Sequence, residues 1–552
     1  MRKKVKIILI ALACLFIILA FVFYLYIQHR TGPDYEGHFA ELLPPETAAY
    51  ASLENLEALW NKTSSLDAYK EIMESRELAS LLLTSEELRN WKRQLTELEY
   101  KTRLELGKDF VLKWLGTDVA LAVLPPLKTN STPAILIMSR TRMGFEEKLA
   151  EFVAQYYPDL HLQSEHYQGT RINRFIGEDT NRCFSYLRFG RTVFLSLRSP
   201  ETSILEDIIK RRHNKDLSSL MEREDFQTYL SGAGVGGSLS GFFQAEQLLS
   251  FLRASQEKSD SETLREYLPV ISRVLSPYRC GEITFRLEKS LTGKARFSYQ
   301  NPLMEPPPSP PVRFISLDKL SPGICGFVGM KDRRLGQSLE WLSGLLVRNE
   351  PRQKDEPDWG REIHQLLAGN VYPSLQDELV ISLRGMAPGF VSPLFDGDLF
   401  LEVKDPGEAR KAMQKTFEEY GAEGTATRGE IRTPPGTIRY DMEGDFLHMS
   451  IRGQEDLHEQ GEKSIESHPL FQALFPGDLG GSNIAIYINF ERVGEDLGNL
   501  AKRSIRWSDK TRRRIKRFEK WSGVCRYLGG LALWDGHDRE SVSYEMRVGS
   551  EW

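Results

Sequence analysis

Between Leu43 and Trp60 the apolar side chains change period, from alternation over Thr47 to Leu53 to the three-residue steps Leu53, Leu56 and Leu59. The first pattern predicts a half-buried strand, and the second an amphipathic helix running straight on from it. The same unit returns three times. Two copies keep an aromatic residue followed at plus three and plus six by apolar ones: Phe242, Ala245, Leu248 and Tyr487, Phe490, Val493, as in Tyr50, Leu53, Leu56. The copy from Ile324 to Met330 keeps Phe327 and Met330 but continues to Arg333, so its helix is expected from Asp332 with Leu335, Leu339 and Leu342 inward.

Around these units the period keeps switching. Leucines at three- and four-residue intervals predict helix between residues 66 and 108. Alternation predicts strands from Val119 to Leu124 and from Ala134 to Met138, then a meander between Arg171 and Leu197. Helices are expected at residues 144–157, 204–212 and 217–230, and a closing hairpin at Glu282 to Leu287 and Lys294 to Tyr299. Residues 301–312 then hold six prolines, which rules out a helix or a central strand there and favours a stiff extended spacer.

Beyond the spacer the pattern repeats. Leu115-x-x-Asp118-Val119-Ala120-Leu121 returns as Leu375-x-x-Glu378-Leu379-Val380-Ile381, and the passage Ile135 to Leu149 returns as Leu399 to Met413. Tyr186, Gly190 and Ser196 recur at the same spacing as Tyr440, Gly444 and Ser450. Phe226 before Gly236-Gly237 is echoed by Phe471 before Gly480-Gly481, and Cys280 to Tyr299 by Cys525 to Met546. The expectation is an α+β fold of two homologous halves, residues 42–300 and 313–552, each mainly antiparallel sheet packed with helices.

The N-terminus adds a location. Residues 1–6 are basic, and from Ile7 to Ile27 the chain is uninterruptedly apolar and aromatic, enough at about 1.5 Å per residue to span a bilayer core of about 30 Å. A cleaved signal peptide has a shorter apolar core and a small-residue cleavage site, which do not stand here. Arg2, Lys3, Lys4 and Lys6 outweigh Arg30, so the expected topology is a cytoplasmic tail (1–6), a transmembrane signal anchor (7–27) and a juxtamembrane segment (28–41). The bulk of the chain then lies on the periplasmic or extracellular side of the cell inner membrane.

Composition narrows the class without naming an activity. The 552 residues are 41% apolar and 27% charged with a net charge of −5, which is ordinary globular composition and offers no footprint for nucleic acid. Gly232-Ala233-Gly234-Val235-Gly236-Gly237 spells the dinucleotide fingerprint, but a helix precedes it and a strand follows, the reverse of what phosphate binding needs. The histidines, among them His161, His166, His448, His458 and His468, have no metal-ligand spacing; no C-x-x-C and no G-x-S-x-G occur. Neither a cofactor nor a local catalytic constellation is expected. Cys183, Cys280, Cys325 and Cys525 would face an oxidising space, and four cysteines allow three full pairings.

One stretch is locally distinctive. Arg506, Lys510, Arg512, Arg513, Arg514, Lys516, Arg517 and Lys520 interleave with Trp507, Ile515, Phe518 and Trp521. Such a segment can dock on anionic lipid or an acidic envelope partner, or can simply be a solvated helix face.

The basic-flanked anchor, the strand start Leu43-Pro44-Pro45-Glu46-Thr47, the helix start Asp405-Pro406-Gly407-Glu408-Ala409 and the late strand-to-helix unit resemble a bacterial membrane-anchored envelope family, domain-of-unknown-function family thirty-three fifty-two. The first half departs from it at Arg140-Thr141-Arg142-Met143. The resemblance implies an extracytoplasmic, internally repeated α+β protein and supplies no catalytic residues. The functional expectation is a non-enzymatic interaction or scaffold module; a lipid- or peptide-binding protein using a cleft between the halves is the alternative, and a hydrolase ranks third.

Overall fold

The computed structural model describes residues 34–66, 70, 116–126, 133–141, 160–177, 183–197, 203–214, 216–233, 238–258, 262–287, 290–301, 314–331, 375–388, 393–419, 423–425, 428–433, 436–452, 464–475, 479, 482–503, 522, 525, 528–537 and 540–549. The expected anchor at residues 7–27, the proline-rich spacer after Asn301 and the helix expected from Asp332 lie outside them.

Contacts divide the chain into two compact units: residues 1–62, 90–286 and 297–301, and residues 63–89, 287–296 and 302–552. In the first unit the strands are β1 (Ala49–Leu53), β2 (Val119–Leu124), β3 (Ala134–Arg140), β4 (His161–Tyr167), β5 (Thr170–Ile176), β6 (Cys183–Phe189), β7 (Thr192–Leu197), β8 (Ser238–Gln244) and β9 (Tyr278–Leu287). They pair antiparallel in the order β9-β8-β1-β2-β3-β7-β6-β5-β4. The helices are α1 (Leu56–Ser65), α2 (Ser203–His213), α3 (Glu224–Ala233), α4 (Ala245–Lys258) and α5 (Glu262–Leu275). A further strand, β10, spans Leu291–Tyr299.

In the second unit β11 (Gly326–Lys331), β12 (Leu375–Pro388), β13 (Pro393–Val403), β14 (Glu423–Thr425), β15 (Arg428–Thr433), β16 (Gly436–Glu443), β17 (Phe446–Arg452), β18 (Ile484–Asn489) and β19 (Gly530–His537) pair in the order β19-β18-β11-β12-β13-β17-β16-β15-β14. That is the order of the first unit. β20 (Ser541–Gly549) follows β19, and the helices are α6 (Pro406–Glu419), α7 (Pro469–Leu474) and α8 (Phe490–Arg503).

This corrects the expected architecture of two α+β halves, each a helix-packed antiparallel sheet; the N-terminal transmembrane helix expected before them, at residues 7–27, is outside the described residues. Strands predominate instead, 20 against eight helices among the described residues, in an antiparallel ladder of at least nine strands within each unit. No helix among those residues is long and apolar enough to cross a membrane. The reason is that alternation along a chain specifies strands and their faces but not where a ladder stops, since any strand edge with open N–H and C=O groups can take another neighbour.

The recurring strand-to-helix unit organises the core of each unit. Tyr50 and Phe242 sit directly across from each other in β1 and β8, with the Phe226 ring edge-on to both at 5.5 and 5.2 Å. Phe327 and Tyr487 face each other across β11 and β18, with Phe471 of α7 at 6.2 and 5.5 Å. Edge-on and offset rings satisfy the quadrupole while excluding water. The recurring Tyr-Gly-Ser spacing also has a local cause: Gly190 and Gly444 sit at φ +57° and +63° in the turns joining β6 to β7 and β16 to β17. There a side chain would be strained.

The lead-in to β1 is tied down. His38 Nδ1 accepts a hydrogen bond from the Ala40 amide at 3.2 Å, and its ring lies 5.8 Å from Tyr50. Desolvation by burial lowers the His38 pKa, against the opposing pull of Glu41. Because the folded value is below the unfolded value of about 6.5, the unfolded chain takes up the proton first as pH falls. Stability should be full above about pH 6.5 and decline below it. Urea unfolding at pH 7.5 and 5.5 checks this, and His38→Asn should flatten the difference while retaining a capping acceptor.

Candidate functional site

β12 turns Glu378, Val380, Ser382 and Arg384 to one face, as alternate strand residues must, and all four are buried. Strand alternation alone would fill such a face with aliphatic side chains. Here it alternates with charge, and the neighbouring strands answer it. β13 sets Asp398 across from Ser382, and β17 sets His448 across from Phe400. A register shift between Leu383 and Gly385 bends β12 where it carries Arg384.

The Arg384 guanidinium lies between two carboxylates, donating to Asp396 Oδ1 at 2.8 Å. Its Nε stands 3.1 Å from Asp398 Oδ2 without hydrogen-bond alignment, so that contact is Coulombic. Ser382 Oγ donates to Asp398 Oδ2 at 3.3 Å, and His448 Nε2 reaches Asp398 Oδ1 at 2.9 Å. The imidazole stacks flat on Phe400, 4.4 Å between centroids at an interplanar angle of 5°. Each charge is thus held by a partner at low exposure, the condition under which buried ions are tolerated.

Two further polar contacts flank this network. Asp496 of α8 accepts from the Met386 amide at 3.0 Å and from the Cys325 thiol at 3.4 Å, and burial pushes that thiol's pKa well up. Glu378 accepts the Ile315 and Ser316 amides at 2.9 and 2.8 Å together with the Ser316 hydroxyl. Those amides open a short 3-10 turn, where a carboxylate meets unpaired N–H groups. Lys331 approaches Glu378 at 3.7 Å beside the Phe314 ring, and burial lowers its pKa.

The first unit has nothing comparable at these positions. Leu121 lies across from Ile137 and Ile381 across from Leu399, which makes the two pairs equivalent in the ladder. Ser382, Asp396, Asp398 and His448 then correspond to Ala122, Ala134, Leu136 and Phe194, all core residues, and on sequence spacing Arg384 corresponds to the buried Leu124. Where the first unit has a patch of apolar core, the second has an ionic one.

Chemically the order of contacts matters. A nucleophilic triad needs the imidazole next to the hydroxyl, whereas here the Asp398 carboxylate separates Ser382 from His448. Where a metal ion would balance Asp396 and Asp398, the Arg384 guanidinium already does so. Among the described residues no group of three His, Cys, Asp or Glu side chains is placed to hold a metal.

The basic residues singled out in the sequence, Arg506 through Lys520, lie outside the described residues. Gly232 and Ala233 end α3, while residues 234–237 of the glycine-rich stretch are not described. His161 and His166 are exposed on β4, and His468 precedes α7. Cys280 is in β9 across from Gln244, whereas Cys525 precedes β19 in a helical residue, so they do not share a position; both, with Cys325, are free and buried. Sequence reasoning did not single out Ser382, Arg384, Asp396 or Asp398. The available signal was charge at alternate positions of a strand whose counterpart was apolar.

No protein-family model, curated protein or solved structure matches the chain.

Proposed function

We propose that this chain is a non-enzymatic interaction or scaffold module of the cell envelope, held at the inner membrane by the apolar run from Ile7 to Ile27, with its bulk on the extracytoplasmic side. The observation that carries the reading is a pair of open aliphatic positions. Leu121 and Ile381 occupy equivalent places on β2 and β12, and they are 39% and 50% exposed. Val328, directly across from Ile381, is 43% exposed. Aliphatic side chains left in water at the same ladder position of both units favour a covering partner, at about 25 cal/mol per Å² removed from water. The charged groups, by contrast, are buried and committed to one another.

Full-length protein carrying a photo-reactive residue at position 381 or 121 should give a discrete cross-linked adduct in native membranes. Val328→Lys should sharply reduce the yield at 381. Absence of an adduct at both positions, or one indifferent to Val328→Lys, would sink the proposal.

A further inference from the structure

The geometry points to a second copy of this chain as the partner of β4, joined to it as an antiparallel strand about a twofold axis through Ser164. Among the described residues β4 pairs with β5 only, which leaves its other edge open there. In the second unit the corresponding end strand is β14, Glu423–Thr425. β4 is seven residues long with the sequence HLQSEHY and is exposed along most of its length, Leu162 at 47%. It carries no Lys, Arg or Pro, the residues with which exposed edges are ordinarily guarded.

The hairpin fixes which backbone groups are available. Gln168 and Gly169, at φ 46° and 77°, form a two-residue turn between Tyr167 and Thr170. Both positive values mark the primed turn whose flanking pair exchanges both hydrogen bonds. Bonding residues alternate along a strand, so Tyr167, Glu165, Gln163 and His161 bond toward β5, and His166, Ser164 and Leu162 present their N–H and C=O to the open edge.

A twofold axis normal to the sheet keeps each side chain on its own face, so only residues of equal parity can lie opposite. Centring on Ser164 pairs all seven residues: Leu162 with His166, Gln163 with Glu165, and His161 with Tyr167, each in both directions. No like charges meet. Moving the centre to Glu165 sets two Glu165 carboxylates against each other, and centring on Gln163 leaves two residues unpaired. Ser164 itself is held by Arg171 and Asn173, each at 2.8 Å.

The test uses the detergent-solubilised full chain. Sedimentation should show a reversible dimer whose dissociation constant rises about tenfold in Gln163→Glu, which sets a carboxylate opposite each Glu165, and does not rise in Gln163→Lys. Position 163 is exposed, so both variants should keep the wild-type circular dichroism. Ser164→Cys should be joined to itself by a short bifunctional thiol reagent under conditions where the wild-type chain is not. A monomer at all concentrations overturns the inference, as does a dimer indifferent to the charge at 163 or one in which the Ser164→Cys variant is not cross-linked.

Discussion

Replacing Arg384 by leucine should destabilise the chain by about 3–5 kcal/mol, because Asp396 and Asp398 would stay buried without their cation. The substitution is conservative in volume and introduces the residue that spacing assigns to the first unit, Leu124. On packing alone it would be mild. Electrostatics decides the outcome: a carboxylate taken from water costs several kcal/mol, and only the guanidinium and a few hydrogen bonds offset that cost. The network as a whole is a different matter. Exchanging Ser382, Arg384, Asp396, Asp398 and His448 together for Ala, Leu, Ala, Leu and Phe copies the apolar patch of the first unit. That fivefold variant should be close to neutral, or more stable than the parent by about 1–4 kcal/mol, since removing every buried charge leaves none to solvate. Urea unfolding of the two variants separates the cases. A fivefold variant clearly less stable than the parent would mean that the network contributes net stability.

If that ordering holds, the ionic patch is retained at the expense of stability, which places the reason for it elsewhere. Its contacts run between β12, β13 and β17 and fix their register by charge, since any slip of the ladder would strand Asp398 away from Arg384 and His448. That would be a specificity role, in keeping with the interaction or scaffold function proposed above.

The sequence made some of this legible and hid the rest for identifiable reasons. The aromatic positions Tyr50, Phe242, Phe327 and Tyr487 were visible because burial imposes their spacing, and Phe226 and Phe471 because a ring must cover each pair. Gly190 and Gly444 were visible because a positive φ excludes most side chains. The equivalence of Asp398 with Leu136 was hidden. Matching by spacing aligned Ile135 with Leu399, but the ladder aligns Ile137 with it, and a two-residue shift leaves an alternating pattern unchanged. With that offset wrong, charge at a core position could not be recognised.

The aromatic clusters allow a second large effect to be forecast. Phe226→Ala should cost about 3–5 kcal/mol. The side chain is fully buried and touches Tyr50, Tyr229 and Phe242 through ring contacts of 5.5, 5.2 and 5.2 Å. Truncation removes the covering ring from a cross-strand pair that has no freedom to collapse, since Tyr50 and Phe242 are fixed by the β1–β8 ladder. Tyr229 is held as well, its hydroxyl donating to Ser240 Oγ at 2.7 Å. Phe226→Leu keeps most of the volume and should lose less than about 1.5 kcal/mol. Hydrogen exchange localises the damage: amides of β1 and β8 should lose protection in Phe226→Ala, while those of β11 and β18, covered by Phe471, should lose it in Phe471→Ala. Loss of protection confined to α3 in the first variant would show that the ring stabilises its own helix and not the strand pair.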